Sequence, residues 1–446
     1  MALSPLKGTA MGVISSDFKA TPYWWEAAPP TDGTRDTPDR SYDAVVIGSG
    51  VTGLSAALTL AEGGRRVLLV DAGQIGSGAS TRNNGSVVPF GFVHQELLEK
   101  RHGAELGAAV ARVAVDAFDH LLAVPGRYGF DPMLRPYERY FLACTPEHYR
   151  HQVADAALQA ERGIGLNWKP IDRAEVVRRT GVRNYHGALY IENSMALHPG
   201  LYVQGLVRAA AGAGVDMIGN CRVLGIDRSM DQHIVRTERG EIKARNVVMA
   251  TNGYSDRALP YLKQRIVPAR LYLSATEPVQ PDLMQRFFAG RQLADSKRSM
   301  SWIRPSPDGT RLLVGGRGGM RGNDPEVHAA TLYRDMVQMV PELEGVKLTH
   351  CWYGVIGFAM DFNPHMGEAD GIHYSAAYAG VGLCFGTYLG NRVANRILGR
   401  PAAESTTALD RLPFRRIPGP SFMNPVYSRL GIEWHNLLDW WDLRKR

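Results

Sequence analysis

Residues 42–73 read YDAVVIGSGVTGLSAALTLAEGGRRVLLVDAG, and this one stretch limits the architectures open to the chain. AVVIG is a short, wholly apolar strand candidate bounded by Asp43 and Gly48. Gly48, Ser49, Gly50, Val51, Thr52 and Gly53 come next as GxGxxG, and Leu54, Ala57, Leu58 and Ala61 then recur at helical spacing. Gly63 and Gly64 end the helix, and RRVLLV makes a second strand with Asp71 at its C-terminal end. Strand, glycine turn, helix and strand in this register predict an α/β dinucleotide-binding unit. Gly48 permits the tight turn, Gly50 lets a pyrophosphate approach bare backbone, and Gly53 removes a side chain where helix and strand pack. Unpaired N–H groups at the helix start face the phosphates. Asp71, 23 residues after Gly48, is placed to accept bonds from ribose hydroxyls, and its charge disfavours a 2′-phosphate.

The residues after Asp71 separate the possible dinucleotides. In a nicotinamide-dependent dehydrogenase the second strand feeds another crossover of the same sheet. Here the chain continues as AGQIGSGASTRNNGSVVPFG, rich in small residues and almost without periodicity. Such a run suits close approach to a large, flat, polar ligand. Ala72, Ser77, Gly78, Ser80, Thr81, Asn83, Asn84 and Gly85 are its candidate contacts, to pyrophosphate, ribitol or ring edge. Arg82 either neutralises phosphate charge or anchors the loop.

Later segments suggest a cofactor spanning a discontinuous domain. NVVMATNGYS, 246–255, is an apolar strand ending in Thr251, Asn252 and Gly253. CRVLGIDR, 221–228, precedes it as a short strand in which the Val223 backbone can bond adenine. Residues 371–400 give a strand, a turn from Gly380 to Gly386 containing Gly382 and Leu383, and a helix that begins around Thr387. Its N-terminus can point at the N1–C2=O edge of a flavin, where negative charge appears on reduction. FAD is therefore the expected cofactor.

Composition removes other classes. The charge of +7, from 51 Lys+Arg against 44 Asp+Glu, is mild for 446 residues, suits an anionic cofactor or substrate, and lacks the basic, aromatic-interleaved tract of a nucleic-acid binder. The 4 cysteines contain no CxxC, and the 13 histidines form no HExxH, so no metal site is expected. No apolar run resembles a signal peptide or a membrane span, and the cytoplasm is the expected compartment. The tail GIEWHNLLDWWDLRKR, 431–446, is aromatic on one side and basic at its end. Docking on the rest of the chain is the expectation for it, with a membrane surface or a protein partner as the alternative.

The pattern resembles the D-amino-acid oxidase superfamily of flavoenzymes, and within it the gamma-glutamylputrescine oxidoreductase-like proteins. The resemblance rests on TPYWWEAAP (21–29), the fingerprint with Thr52-Gly53-Leu54-Ser55, IGSGASTRNNG (75–85), MALHPGLYVQGLVRAA (195–210), ATNGYS (250–255), ATEP (275–278), LLVGGRG (312–318), CWYGVIGFAMDFNPHMG (351–367) and YAGVGLCFG (378–386). It implies FAD across a split Rossmann-like domain, a second domain whose antiparallel sheet covers the flavin, and oxidation of a C–N bond. It carries FAD contacts onto Gly48, Gly50, Gly53, Asp71, Ser80, Arg82, Asn83, Gly85, Thr251, Gly253, Gly382 and Gly386. It also puts Trp352, Tyr353 and Gly354 on a segment at the ring face.

Three departures matter. Asn84 stands where the family's RNGG loop has glycine. Trp352 beside Cys351 matches the noncovalent relatives. The strand RLLVGGRG offers Arg311 and Arg317 but not the lysine of sarcosine oxidases.

The expected division is an extension (1–40), dinucleotide pieces at 41–99, 186–262 and 350–402, substrate-domain pieces at 100–185 and 263–349, and a tail (403–446). Tyr272, Trp302 and Arg304 are further pocket candidates, and Asn84, Arg317, Trp352 and Tyr353 are the catalytic ones. The expected reaction is hydride transfer from an amine or amino acid to flavin N5, with imine hydrolysis and reoxidation by oxygen to give peroxide. The alternatives are a quinone or carrier acceptor, a flavin-holding subunit of a larger complex, and an NAD-linked dehydrogenase.

Overall fold

Two sheets divide the chain. In the first, five parallel strands run in the order Ile372–Ala376, Gly240–Met249, Ser41–Ile47, Val67–Val70, Asp216–Ile218. Strands flanked on both sides bury both faces, which is why AVVI and VLLV are unbroken apolar runs. Antiparallel additions extend this sheet: His365–Ala369 beside Ile372–Ala376, Gln232–Thr237 beside Gly240–Met249, and Val223–Ser229 beside Gln232–Thr237. The computed structural model describes residues 12–162, 167–229, 231–256, 258, 260–317 and 324–444, without the side chains of Arg162, Asn193 and Arg317.

Helices cover one face. Val51–Glu62 packs against Gly382–Ile397 and Pro199–Gly212, with Leu54, Leu206, Leu389 and Val393 in one apolar cluster. The approach of the first two is close because position 390 is glycine: a Cβ there would lie 2.3 Å from the Thr52 carbonyl oxygen. Ala104–Tyr128 joins the same cluster through Val110, Val113, Ala117 and Leu121.

The second sheet has ten strands. Its path is Ile14–Lys19, Leu348–Phe358, Val267–Thr276, Leu312–Arg317, Trp302–Pro305, Arg291–Asp295, Arg135–Leu142, Gly187–Ala196, Ser86–Val87, with Trp168–Asp172 also on Gly187–Ala196. The Asp308-Gly309 turn closes the hairpin of Trp302–Pro305 and Leu312–Arg317. One sheet face is buried under Met336, Leu332 and Phe287, and the other carries a tryptophan-rich cluster of Trp24, Trp302 and Trp352.

The sheets cut across the expected division. Gly187–Ala196 and Leu348–Phe358, assigned to dinucleotide pieces, pair within the large sheet. Ala104–Tyr128, assigned to the substrate domain, packs on the helices of the dinucleotide side. Ile14–Lys19, within the expected extension, lies parallel to Leu348–Phe358. The reason is physical: an apolar strand or stripe is committed by its partner, and these partners lie far away along the chain.

The C-terminal helix Asn424–Leu443 packs on Val267–Thr276. Asp439 is buried there, accepting from the N–H groups of Arg298 and Ser299 (each 2.9 Å) and the Ser299 hydroxyl (2.6 Å). The tail is thus docked on its own chain, with Leu430, Trp434 and Leu437 exposed on its outer side. Among the described residues no helix is long and apolar enough to cross a membrane.

Candidate active site

The parallel strands end at a cleft of about 520 Å³, where dinucleotides bind in open α/β sheets. Gly48, Ser49, Gly50 and Thr52 line one end. Gly48 takes φ +104, and a Cβ on Gly53 would lie 1.8 Å from the Gly48 carbonyl oxygen. Gly53 therefore lies behind the cleft as a packing residue. The helix Val51–Glu62 begins at Gly50 without a side-chain cap from that residue. The Val51 N–H donates to Ser80 Oγ at 3.0 Å. Asp71 organises the turn: its carboxylate accepts from Ser49 N–H (2.8 Å), Ser49 Oγ (2.6 Å) and Gly73 N–H (2.9 Å). Ala72 and Val223 continue the wall, where Arg222 and Asp256 form an ion pair at 3.2 Å.

The loop at the opposite wall is held from behind. Thr81 is buried, donates to the Gly76 carbonyl at 2.6 Å and accepts from Trp25 Nε1 at 3.0 Å. Arg82 donates to the carbonyls of Ser77 (2.7 Å) and Tyr353 (3.3 Å) and lies 4.6 Å from the Trp25 ring centre. These bonds anchor the loop while Arg82 also lines the cleft, and burial lowers its pKa. Asn83 donates to the carbonyls of Ala79 and Ser80 and accepts from Gly85 N–H at 2.8 Å. Asn84 Oδ1 accepts from Ser86 N–H at 2.9 Å. Ser77, Gly78, Ser80, Arg82, Asn83 and Asn84 line the cleft, whereas Thr81 and Gly85 do not.

Trp352 is corrected by the same geometry. It is fully buried beside Trp24 and Trp302, and its indole donates to the Arg82 carbonyl at 3.1 Å. It supports the loop and does not line the cleft, because its strand turns that side chain into the tryptophan cluster. Trp24 donates to the Asn83 carbonyl at 2.9 Å, a role that no periodicity in the leader announces. Trp302 is likewise packed in that cluster, and Tyr272 stacks on His328 in the core behind the sheet. Tyr353 does line the cleft, with the Arg270 guanidinium 5.0 Å from its ring centre. The Arg317 side chain lies outside the described residues.

Thr251, Asn252, Gly380, Gly382 and Leu383, together with Tyr254, Val355, Ile356 and Tyr378, complete the lining. The helix Gly382–Ile397 opens there, also without a side-chain cap. Gly386 and Thr387 sit one turn deeper, Gly386 against Thr52 and Thr387 bonded to the Leu383 carbonyl. Gly253 and Gly354 are likewise close-packing positions, against Gly357 and Arg82. Tyr378, absent from the expected set, donates to Ser375 Oγ (3.0 Å) and pairs with Thr52 Oγ1 (2.8 Å), and burial pushes it up to about 12. Asn252, Ala377 and Ala379 all have positive φ, and Asn252 Oδ1 accepts from Ala377 N–H at 2.8 Å. Strain of this kind, of order 1 kcal/mol or more each, persists where surroundings over-determine the backbone, as they do beside functional sites.

Two helix starts without a cap from their own N-cap residues and a bare glycine turn on one cleft fit an extended dianionic dinucleotide. Cys351 does not reach it: the thiol is buried in the core on the other sheet face and pushed up to about 12 by that burial.

A split parallel sheet whose cleft runs beneath a large, mostly antiparallel sheet defines the class of two-domain flavoproteins. The chain belongs to the DAO family of FAD-dependent oxidoreductases, whose model matches residues 43–396. It is 29% identical over 405 residues to the probable oxidoreductase OrdL of Rhizobium meliloti, covering 90% of this chain and 92% of that protein. It is 28% identical over 413 residues to the gamma-glutamylputrescine oxidoreductase of Escherichia coli, covering 89% and 92%. The glycine oxidase structure from Geobacillus kaustophilus superimposes with a TM-score of 0.71 at 21% identity, covering 86% of this chain and all of that one.

Proposed function

We propose that the protein oxidises the carbon beside an amine nitrogen, in an amine or amino acid, to an imine that water hydrolyses to a carbonyl compound and ammonia, or an amine where the nitrogen carries a second substituent. When bound, FAD supplies the two-electron acceptor for the hydride. Gly48–Thr52 and Ser80 would hold its pyrophosphate, Asp71 and Val223 its adenosine end, and Gly380–Leu383 with Asn84 and Tyr353 its ring end. The observation that carries the reading is the distribution of charge along the cleft. Among its described lining residues the only carboxylates are Asp71, bonded to Ser49 and Gly73, and Asp256, paired with Arg222, so neither is free to pair with an ammonium group. An amine there binds neutral, with its nitrogen lone pair free to assist C–H cleavage. The chain then contributes positioning, exclusion of water and the partial positive charge of the Gly382–Ile397 helix start. Similarity to a gamma-glutamylputrescine oxidoreductase supports an amine as the group oxidised.

The flavin is held without a covalent bond, in accord with the buried Cys351 thiol. Oxygen is the proposed acceptor, with peroxide as product. A quinone or carrier protein is the second reading, favoured by the absence of lysine from the described cleft lining. Anaerobic mixing with amines should bleach the flavin's visible absorbance, and readmitted air should restore it with one peroxide per turnover. If no primary, secondary or amino-acid amine bleaches it, the proposal is wrong. Bleaching that air does not reverse moves the acceptor to the second reading.

A further inference from the structure

The large sheet buries two guanidinium groups that no described carboxylate neutralises. Arg139 and Gln292 are cross-strand partners, and the pairing of Leu293 with Ile303 and Ala294 with Trp302 brings Arg304 opposite Gln292 on the next strand. The three form one row, with exposures of 7%, 0% and 2%. Aromatic rings cover the guanidinium faces: Phe141 lies 4.5 Å from Arg139, and Trp24 lies 5.9 Å from Arg304. Cation–π contact leaves in-plane N–H groups unsatisfied. Arg139 Nε, Gln292 Nε2 and Arg304 Nη1 have no hydrogen-bond partner among the described residues. The oxygen of Gln292 is already engaged, accepting from Tyr137 (2.7 Å) and Ser86 (3.1 Å), so its amide nitrogen remains as the donor. Burial lowers the pKa of both arginines, Arg304 to about 10, offset in part by the Tyr137 phenol, which also bonds Arg139, and by no described carboxylate.

The row adjoins two cavities. Ser86, bonded to Tyr137 and Gln292, lines the flavin cleft. Tyr137 and Arg304 also line a second cavity of about 650 Å³. Three unpaired donor atoms in one cross-strand row, on side chains carrying two charges, match a planar or tetrahedral oxyanion, which satisfies several of them at once. An uncompensated buried charge is otherwise strongly unfavourable.

We propose that Arg139, Gln292 and Arg304 form an oxyanion subsite for the end of the substrate remote from the reacting amine, so that the preferred amine carries a carboxylate or phosphate several bonds away. This rests on the amine-oxidising reading above and narrows its substrate class.

The test titrates FAD-loaded protein with succinate, inorganic phosphate and the neutral succinamide at fixed ionic strength, read by calorimetry. At least one oxyanion should bind tenfold tighter than succinamide, and the tighter of the two identifies the group recognised. Arg304→Gln and Arg139→Gln, checked for flavin stoichiometry, should each weaken that anion at least tenfold. Equal affinity for all three probes in the unaltered protein overturns the subsite, as does undiminished anion binding in both variants. The comparison in unaltered protein decides the matter even if a variant fails to fold. No turnover is needed, so a protein that binds the anion yet reduces with no amine refutes the amine reading alone. One that oxidises amines without preferring anions refutes only the subsite.

Discussion

Replacing Trp24 tests whether the leader is part of the flavin site. The side chain is fully buried, and its indole N–H reaches the Asn83 carbonyl at 2.9 Å. Asn83 in turn fixes Gly85 and is itself held by the carbonyls of Ala79 and Ser80. Trp24→Phe keeps most of the packing and leaves that carbonyl unpaired, a loss of about 1–3 kcal/mol. Trp24→Ala also opens a cavity beside Trp302 and Trp352, for about 3–5 kcal/mol. The urea midpoint should fall in both, further in Trp24→Ala. Because the carbonyl belongs to the cleft loop, part of the loss should appear in the cofactor: an FAD dissociation constant raised about tenfold, equivalent to about 1.4 kcal/mol. Fluorescence titration of apoprotein with FAD measures this. If Trp24→Ala matches the unaltered protein in both midpoint and FAD affinity, the leader is not a support of the site and the reasoning from its hydrogen bond fails.

The geometry sets four other outcomes. In Gly53→Ala the new Cβ, 1.8 Å from the Gly48 carbonyl oxygen, must drive helix and turn apart by about 1.2 Å to reach the closest contact real Cβ atoms show. The protein should purify colourless and resist reconstitution, with stability lowered by about 1–3 kcal/mol. His198 caps the helix Pro199–Gly212 by accepting from Leu201 N–H, and burial holds its pKa down at about 4. Its folded value lies below the unfolded one, so its stabilisation is complete above about pH 6.5 and drains away as pH falls toward 4, by up to about 3 kcal/mol. His198→Asn should flatten the pH dependence of the urea midpoint in that window. Cys351→Ala should keep full flavin content, and acid precipitation of the unaltered protein should release all colour to the supernatant. Asp439→Ala strands the N–H groups of Arg298 and Ser299 and should expose Asn424–Leu443 to limited proteolysis at rates well above the parent's.

The most legible part of the chain is the most local. GxGxxG, the helix behind it and Asp71 lie within about 30 residues, the size of one strand–helix–strand unit, so their spacing alone predicts the turn, and the glycine contacts account for each position. The cleft wall at Gly380–Leu383 is nearly as readable, since YAGVGLCFG marks a strand-to-helix turn, although nothing in that motif singles out its Tyr378. Sequence spacing does not supply which face a strand residue takes, or which sheet it joins. Trp352 and Tyr353 are adjacent, yet one props the loop and the other faces the cleft. By sequence nothing announces that Arg82 reaches the carbonyls of Ser77 and distant Tyr353. Gly187–Ala196 and Leu348–Phe358 depart from the expected division because strand pairing is a long-range property, invisible to periodicity.

The parallel pairing of Ile14–Lys19 with Leu348–Phe358 has a consequence for biosynthesis. The opening strand leaves the ribosome about three-quarters of the chain before its neighbour exists. At roughly 5–20 residues per second, that is an interval of about 20–70 s during which its edge has nothing of its own to pair with. Trp352, whose indole holds the Arg82 carbonyl of the cofactor loop, is made 270 residues after it. Flavin can be gripped firmly only once nearly the entire chain has been made, so nascent fragments should be colourless and dependent on chaperones.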